Sequence, residues 1–179
     1  LGRFHPNKGA DLAIEVARRA GRRLIIAAPA PPDDQRDWFE TKIRPHLGGD
    51  VEWIGPVEGT EKARLLGNAA ATLAPIRWDE PFGLVFAESM ACGTPPVAFR
   101  RGAAPEVIED GVSGFLVDDV QAMAHALDHV QRIQPLACRE RVERHFSATR
   151  MVEEHERLYQ RLIEGESANL SPPLGEGIR

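Results

Sequence analysis

Short apolar runs alternate with helix-forming segments along this chain, and that alternation limits the folds it can adopt. Parallel strands need a crossover of a dozen or more residues between them, and this crossover is usually a helix. Helices cover such a sheet on both faces, so its strands form continuous apolar runs. The sequence therefore predicts an α/β fold, a parallel sheet with helices on both faces. The predicted strands are residues 24–28, 51–54, 70–75, 96–99 and 115–117.

Capping residues and a proline set the expected limits of three of the helices. Thr60 should cap the helix before the third strand, and Asp118 or Asp119 the helix after the last strand. Pro45 should disturb the last turn of the helix predicted over residues 34–47. Further helices are predicted over residues 10–20, 84–93, 104–109, 136–145 and 148–164.

We expect one domain over residues 1–164, a length that can bury a full hydrophobic core. From Gly165 the composition turns to Ser, Pro, Gly and Asn, so residues 165–179 are predicted to form a disordered tail. The chain opens on a Gly2-Arg3 turn with no strand before it. We therefore expect a fragment whose first strand is truncated.

The composition excludes several classes of protein. Hydrophobic residues make up 42% of the chain and charged residues 27%, which is typical of a globular protein. A net charge of −5 offers no basic surplus, so we expect no nucleic-acid partner. No apolar run approaches the roughly 18 residues of a membrane-spanning helix. The 2 cysteines do not form a disulfide framework, and we expect a reducing, cytoplasmic setting.

Residues 79–93 combine a turn, a helix start and two glutamates directly after a predicted strand. Gly83 favours the turn, and a helix that begins near Leu84 would point its first backbone N–H groups and its positive dipole end outward. Glu80 and Glu88 bracket this anion-binding geometry. A phosphate cradle between two carboxylates suits a ligand with a central diphosphate and hydroxyl-rich ends. Nucleotide-sugars are such ligands.

The E-x7-E spacing of these glutamates is weakly specific by itself, because ordinary surface acids produce it by chance. Their surroundings are more specific. The block EPFGLVFAESMACGTPPVA at residues 80–98 and the block PEVIEDGVSGFLV at residues 105–117 resemble family-four glycosyltransferases. The resemblance covers residues 2–163, nearly the whole chain. It implies a Rossmann-like domain, the C-terminal, donor-binding half of the two-domain GT-B fold.

Arg3 and Lys8 flank the loop before the first predicted helix. A departing diphosphate gains negative charge, and cations that stabilise it in the transition state accelerate transfer. From the residues alone, two solvated surface charges are the commoner explanation. The resemblance implies a catalytic role instead, since the matching Arg and Lys of the family's G-R-x4-K-G loop bind the donor phosphates.

The resemblance gives the two glutamates separate partners on the donor. Glu88 is expected to contact the ribose hydroxyls, and Glu80, as a catalytic residue, the transferred sugar. A carboxylate can accept hydrogen bonds from two adjacent hydroxyls, which explains the residue type. Further donor contacts are implied for Val57, whose backbone would pair with the base, and for the backbone N–H groups of Phe82, Gly83 and Leu84.

We expect no cofactor and no metal site. His125 and His129 lie four positions apart but have no third ligand in a recognised spacing, and the chain contains no D-x-D motif. The expected partners are a nucleotide-sugar donor, an acceptor of unassigned chemistry and an N-terminal domain of the same protein. Peripheral membrane contact is expected only through that domain.

The sequence thus predicts the donor half of a retaining, metal-independent glycosyltransferase of the hexosyltransferase type, inactive until it is joined to its N-terminal domain. Two alternatives stay open. A sugar-nucleotide epimerase of related architecture would need no acceptor, and an assay of donor epimerisation would identify it. A stand-alone nucleotide-sugar-binding module would bind the donor without transferring its sugar.

Overall fold

The computed structural model describes residues 1–164, which belong to two compact units. The first unit is Leu1–Glu143, and the second begins at Arg144. The tail predicted over residues 165–179 lies outside the described residues. No helix within residues 1–164 is long and apolar enough to cross a membrane.

The first unit contains five short strands that pair in parallel, which confirms the predicted α/β class. They form two separate sheets, with order β1-β2 and β3-β4-β5. Each strand lies within one or two residues of its predicted range, and β4 and β5 match theirs. The strands are β1 (Leu24–Ala27), β2 (Val51–Gly55), β3 (Thr72–Ala74), β4 (Pro96–Phe99) and β5 (Phe115–Val117).

The two sheets each leave one edge that faces a common cavity of about 1380 Å³. The Leu24 N–H group donates to Asp50 on the β2 side, so the backbone of Ile25, one residue later, faces away from β2. The Thr72 N–H group donates to Pro95 on the β4 side, so Leu73 faces away from β4. Strands β1 and β3 both line the cavity. Residues 1–164 contribute no strand that joins the two sheets.

Helices connect the strands, and their limits confirm one of the sequence predictions and correct another. The second helix ends at Lys42, and Pro45 lies in a separate 3-10 turn, which confirms the expected disturbance. The third helix has Glu58 as its N-cap, without a side-chain hydrogen bond, so Thr60 is not its cap. The helices are α1 (Ala10–Arg19), α2 (Arg36–Lys42), α3 (Gly59–Gly67), α4 (Leu84–Ala91), α5 (Ala104–Val107), α6 (Val120–Ala126), α7 (Pro135–His145) and α8 (Ala148–Ile163).

Two helices have N-caps with side-chain hydrogen bonds, and the one on α6 was predicted. Asp119 caps α6, because its side chain accepts a hydrogen bond of 2.8 Å from the N–H group of Ala122. In the second unit, Ser147 caps α8 through the N–H group of Arg150. Gly93 follows α4 with φ of +83°, the left-handed conformation that commonly ends a helix.

An aromatic cluster anchors the amino-terminal loop of the first unit. The Phe4 ring is 1% exposed and packs edge-on against Phe39 and Trp53, with ring centroids 4.8 Å and 5.4 Å away. Edge-to-face aromatic pairs contribute stability beyond the area that they bury. The Trp53 indole N–H group also donates to the carbonyl of Ala28, at the end of β1. The position of Arg3, next to Phe4, is therefore fixed by the core.

The two cysteines differ in burial, and this difference generates a test of the fold. Cys138 on α7 is fully buried and donates its S–H group to the carbonyl of Ser113 at 3.3 Å. Burial raises the pKa of the Cys138 thiol to about 11. Cys92 follows α4 and is partly exposed.

We expect a thiol reagent at pH 8 to modify one cysteine in the folded chain and both after unfolding. Only the thiolate reacts, and for Cys138 it amounts to on the order of one molecule in a thousand at that pH, besides being shielded. Mass spectrometry would count the modified thiols. The Cys92→Ser variant should remain unmodified until it unfolds, and rapid modification of that folded variant would show that α7 is not packed as described.

Candidate functional site

The eight residues singled out by sequence line one cavity, the one between β1 and β3. In parallel sheets, ligand crevices form outside the carboxyl ends of the strands. These residues come from the amino-terminal loop beside the end of β1, the loops after β2 and β3, and the helix α4. The structure brings together Arg3, Lys8, Val57, Glu80, Phe82, Gly83, Leu84 and Glu88. Their contacts with a ligand stay predictions.

The Lys8 ammonium and the Glu80 carboxylate form an ion pair at this site. Glu80 is the more buried partner, with 13% of its side chain exposed, against 30% for Lys8. The same carboxylate oxygen, Oε2, accepts a hydrogen bond of 3.1 Å from the indole N–H group of Trp78. The Lys8 ammonium also lies 5.5 Å from the centre of the Trp78 ring, within cation–π range. The cation predicted to bind phosphate thus contacts the carboxylate predicted to bind sugar.

Arg77 holds the Lys8 loop against the end of β3. Its guanidinium donates to both carboxylate oxygens of Asp11 on α1, at 3.0 and 2.6 Å, and also to the carbonyl of Pro6. The Arg77 backbone N–H group donates to the carbonyl of Asn7 at 2.8 Å. Bidentate pairs of this kind fix geometry as well as contributing energy. Arg77 precedes Glu80 by three residues in the β3–α4 connection. It therefore holds the loop that carries Lys8 close to Glu80.

The turn before α4 depends on glycine. Gly83 has φ of +76°, and a Cβ atom there would overlap the ring of Phe86, which is 1% exposed. The turn opens α4 at Leu84, so that the N–H groups of Leu84 and Val85 have no acceptor within the helix. They carry the positive end of the helix dipole. This is the anion-binding geometry that the sequence predicts.

The loop after β4 supports the backbone of Glu80. The Ala103 N–H group donates to the carbonyl of Glu80 at 2.8 Å. Gly102 has φ of +56°, and a Cβ atom there would overlap the backbone of Glu80 and Asp79. The sequence assigned no ligand to this loop, and the structure gives it a supporting position. A close approach of two backbones explains why glycine is present.

Glu88 forms a second ion pair that the sequence does not predict. The Lys62 ammonium on α3 lies 2.6 Å from Oε1 of Glu88 on α4, and about a third of each side chain is exposed. Val57, in the loop before α3, is buried, with 8% exposure. Lys62, Val57 and Glu88 all line the cavity, and the helices α3 and α4 contact each other.

The Arg3 side chain is exposed, and within residues 1–164 it forms no ion pair or hydrogen bond. The adjacent Gly2 N–H group donates to the carbonyl of Ala27 at the end of β1, at 3.1 Å. With Phe4 packed in the aromatic cluster on the other side, the loop backbone is fixed while the guanidinium can reach a ligand.

The part of the chain that the structure describes contains no group of three or more His, Cys, Asp or Glu side chains placed to hold a metal ion. His125 lies 3.3 Å from Gln121 on the surface of α6. Arg77, Trp78 and Lys62 are the site residues that sequence reasoning missed, because no short motif marks them. Lys62 and Arg77 contact partners 26 and 66 positions away along the chain, and Trp78 contacts Glu80, two positions away.

The comparisons with known proteins agree in one family. The family model for glycosyl transferases group 1 matches residues 1–132. The D-inositol 3-phosphate glycosyltransferase of Mycobacterium tuberculosis is 34% identical over 144 residues, which cover 74% of this chain and 29% of that protein.

Solved structures of similar fold include a glycosyltransferase involved in avilamycin A biosynthesis, with a TM-score of 0.79 and 28% identity over 92% of this chain and 50% of that one. Sucrose-phosphate synthase from Thermosynechococcus elongatus gives a TM-score of 0.78 and 25% identity, over 92% of this chain and 45% of that one. Anabaena HepE, solved with UDP-glucose, shares the fold, with a TM-score of 0.73 and 24% identity over 91% of this chain and 48% of that one.

This chain spans about half the length of these solved structures and under a third of the mycobacterial relative. The match of the family model extends over most of the chain and includes the Lys8 loop, the turn before α4 and both glutamates. The chain therefore belongs to the group 1 glycosyltransferase family.

Proposed function

We propose that this chain is the donor-binding half of a retaining glycosyltransferase of the hexosyltransferase type, which transfers a sugar from a nucleotide-sugar to an acceptor. The observation that carries the proposal is the shared cavity, in which two lysine–glutamate pairs lie on either side of the turn that opens α4. Family membership favours transfer over epimerisation or binding alone.

The diphosphate of the donor would bind between the start of α4 and the two cations Arg3 and Lys8. Backbone N–H groups at a helix N-terminus form an anion site with the helix dipole. As the bond to the sugar breaks, negative charge grows on the departing diphosphate, and fixed cations stabilise that charge most in the transition state. Arg3 and Lys8 supply this stabilisation from the chain itself, so we propose neither a metal nor a cofactor.

The hydroxyl-rich ends of the donor would meet the two glutamates. Glu80, largely buried beside Lys8 and Trp78, would accept hydrogen bonds from the transferred sugar. Glu88, on the far side of the turn, would accept from the ribose, and the backbone of Val57 would pair with the base. The Phe82, Gly83 and Leu84 N–H groups complete the contacts to sugar and phosphate.

The acceptor and any group that activates it would come from the N-terminal domain, through which we also propose any contact with a membrane surface. The chain alone would therefore bind the donor but not transfer its sugar, because transfer depends on holding both reactants in position. The free cysteines Cys92 and Cys138 favour a reducing, cytoplasmic setting.

The slot between β1 and β3 suits a parallel strand that precedes Gly2. The Gly2 N–H group already bonds to Ala27 at the end of β1, on the side away from β2. A chain running back from Leu1 beside Ile25 would pair with both open edges and join the sheets in the order β2-β1-new strand-β3-β4-β5, the order of a doubly wound sheet. We propose that the whole protein supplies this strand, which would fill the part of the cavity between the edges of β1 and β3 and leave the donor the part at the carboxyl ends of the strands, where Arg3, Lys8 and the two glutamates lie.

Binding of a nucleoside diphosphate tests the phosphate assignment. UDP is the first probe, since the Anabaena structure holds UDP-glucose, and GDP and ADP follow. In isothermal titration calorimetry, Arg3→Ala and Lys8→Ala should each weaken binding by about 1.5–3 kcal/mol, the contribution of a charge-assisted hydrogen bond. Lys42→Ala, which removes a lysine outside the cavity, is the matched control. Unchanged affinity in both cavity variants would contradict the assignment.

The two glutamates should differ in what their substitution changes. Glu88→Gln should weaken the free nucleotide and the nucleotide-sugar alike, because the predicted contact is to the ribose. Glu80→Gln should leave nucleotide affinity unchanged or slightly higher, since it releases Lys8 from an anionic partner, while it lowers turnover of the whole enzyme. Calorimetry and a transfer assay separate the two effects. An equal loss of nucleotide affinity in both variants would show that the roles are wrongly assigned.

A longer chain should be more stable if the proposed strand exists. Adding about ten of the gene's own residues before Leu1, one strand and its lead-in, should raise the melting temperature. The added strand would pair with the open edges of β1 and β3 and would cover the space between them. An extension of the same length made of Gly and Ser is the control. The proposal of a joining strand is wrong if the native and the Gly-Ser extensions melt together.

A further inference from the structure

We propose that Lys62 is a positioning residue that holds Glu88 ready for the ribose hydroxyls of the donor. The inference rests on the proposed function and adds a residue that neither the family blocks nor the predicted site contains. Its starting observation is the ion pair of 2.6 Å between the Lys62 ammonium and Oε1 of Glu88.

The ion pair joins two separate parts of the cavity wall. Lys62 lies in the first turns of α3, after the loop that carries Val57, and Glu88 lies about one turn into α4. The side chains are 31% and 36% exposed, respectively. An ion pair this exposed contributes little to the stability of a fold. Stabilising the packing of α3 against α4 is therefore a poor explanation for a charged pair at this position.

Orientation of the carboxylate explains the pair better. A carboxylate has about four acceptor positions on two oxygens, so Glu88 can accept from Lys62 and still accept from two adjacent hydroxyls. A glutamate that is already held in one orientation loses less rotational freedom when the ligand binds. Lys62 thus fixes the Glu88 side chain before the ribose arrives.

The balance of charged side chains around Lys62 also supports a role in ligand binding. Glu58 and Glu61, also on the cavity wall, lie close to Lys62 in sequence at the start of α3. On this part of the cavity wall the cations Lys62 and Arg64 face the three carboxylates of Glu58, Glu61 and Glu88, so loss of the Lys62 ammonium would leave one cation against three carboxylates where an anionic diphosphate approaches. Lys62 offsets one of these charges where the ribose must approach.

The test measures how much the ribose hydroxyls contribute to binding in each variant. Calorimetry compares the tightest binder among UDP, GDP and ADP with its 2′,3′-dideoxy counterpart. We expect loss of the hydroxyls to weaken binding to the wild-type chain by about tenfold, as for one charge-assisted hydrogen bond. In Lys62→Met this ratio should fall to about threefold or less, and in Glu88→Gln by a similar extent. The double variant should show no further fall, because both substitutions remove one interaction.

Two further variants control for charge and for fold. Lys62→Arg can still donate to Glu88 and should keep most of the wild-type ratio, and Lys42→Met, which loses a lysine elsewhere, should keep all of it. Melting temperatures of Lys62→Met and the wild-type chain should agree closely.

The proposal is overturned if Lys62→Met weakens the ribo- and dideoxynucleotides equally, because Lys62 would then act on the phosphates or the base. A ratio that stays at the wild-type value with unchanged affinity overturns it as well. If none of the three nucleoside diphosphates binds the wild-type chain, the proposed function fails and this inference fails with it. If a nucleotide binds but Lys62→Met leaves the ratio of affinities unchanged, only this inference fails.

Discussion

The bidentate ion pair between Arg77 and Asp11 is the contact on which the geometry of the site depends. It joins the loop after β3 to the first turn of α1, and the same guanidinium also holds the carbonyl of Pro6. Lys8 follows this held segment, and Glu80 follows Arg77 by three positions, so the pair brings both to one place. A lysine at position 77 could not replace the arginine, because a single ammonium cannot make two parallel bonds to a carboxylate while also holding a carbonyl.

Local signals were sufficient for most of the fold, because the strands are continuous apolar runs and Gly93, Pro45 and Asp119 act on their own neighbours. The prediction was wrong where a local signal had a competitor. Thr60 has the chemistry of a cap, but Gly59 adopts φ of +50° and α3 begins there, one residue earlier. The break between β1 and β3 is different, because periodicity does not show it, but the expectation of a truncated first strand, which is usually central in a doubly wound sheet, agrees with it.

The site residues also fall into those that a local sequence signal reveals and those that only the folded chain shows. Glu80, Gly83 and Glu88 belong to one contiguous block, and a short motif with a turn and a helix start reveals them. Arg77 and Lys62 act through partners 66 and 26 positions away, so only the folded chain shows what they contact. The loop at Gly102 is an intermediate case. A glycine after a strand suggests a turn, but the close approach to the backbone of Glu80 that requires it appears only in three dimensions.

Under the proposed function, the two lysine–glutamate pairs would explain how a chain with a net charge of −5 can offer a site to an anionic ligand. Unpaired carboxylates would repel a diphosphate, whereas a carboxylate beside an ammonium adds little negative potential at a distance and keeps acceptor positions for hydroxyls. Lys8 differs from Lys62 under the proposed function, because it has a second anionic partner in the donor phosphate. A phosphate that drew Lys8 away from Glu80 would leave that largely buried carboxylate with the Trp78 indole as a donor, and the hydroxyls of the transferred sugar would supply further donors. Recognition of the phosphate and of the sugar would then be coupled through one carboxylate oxygen.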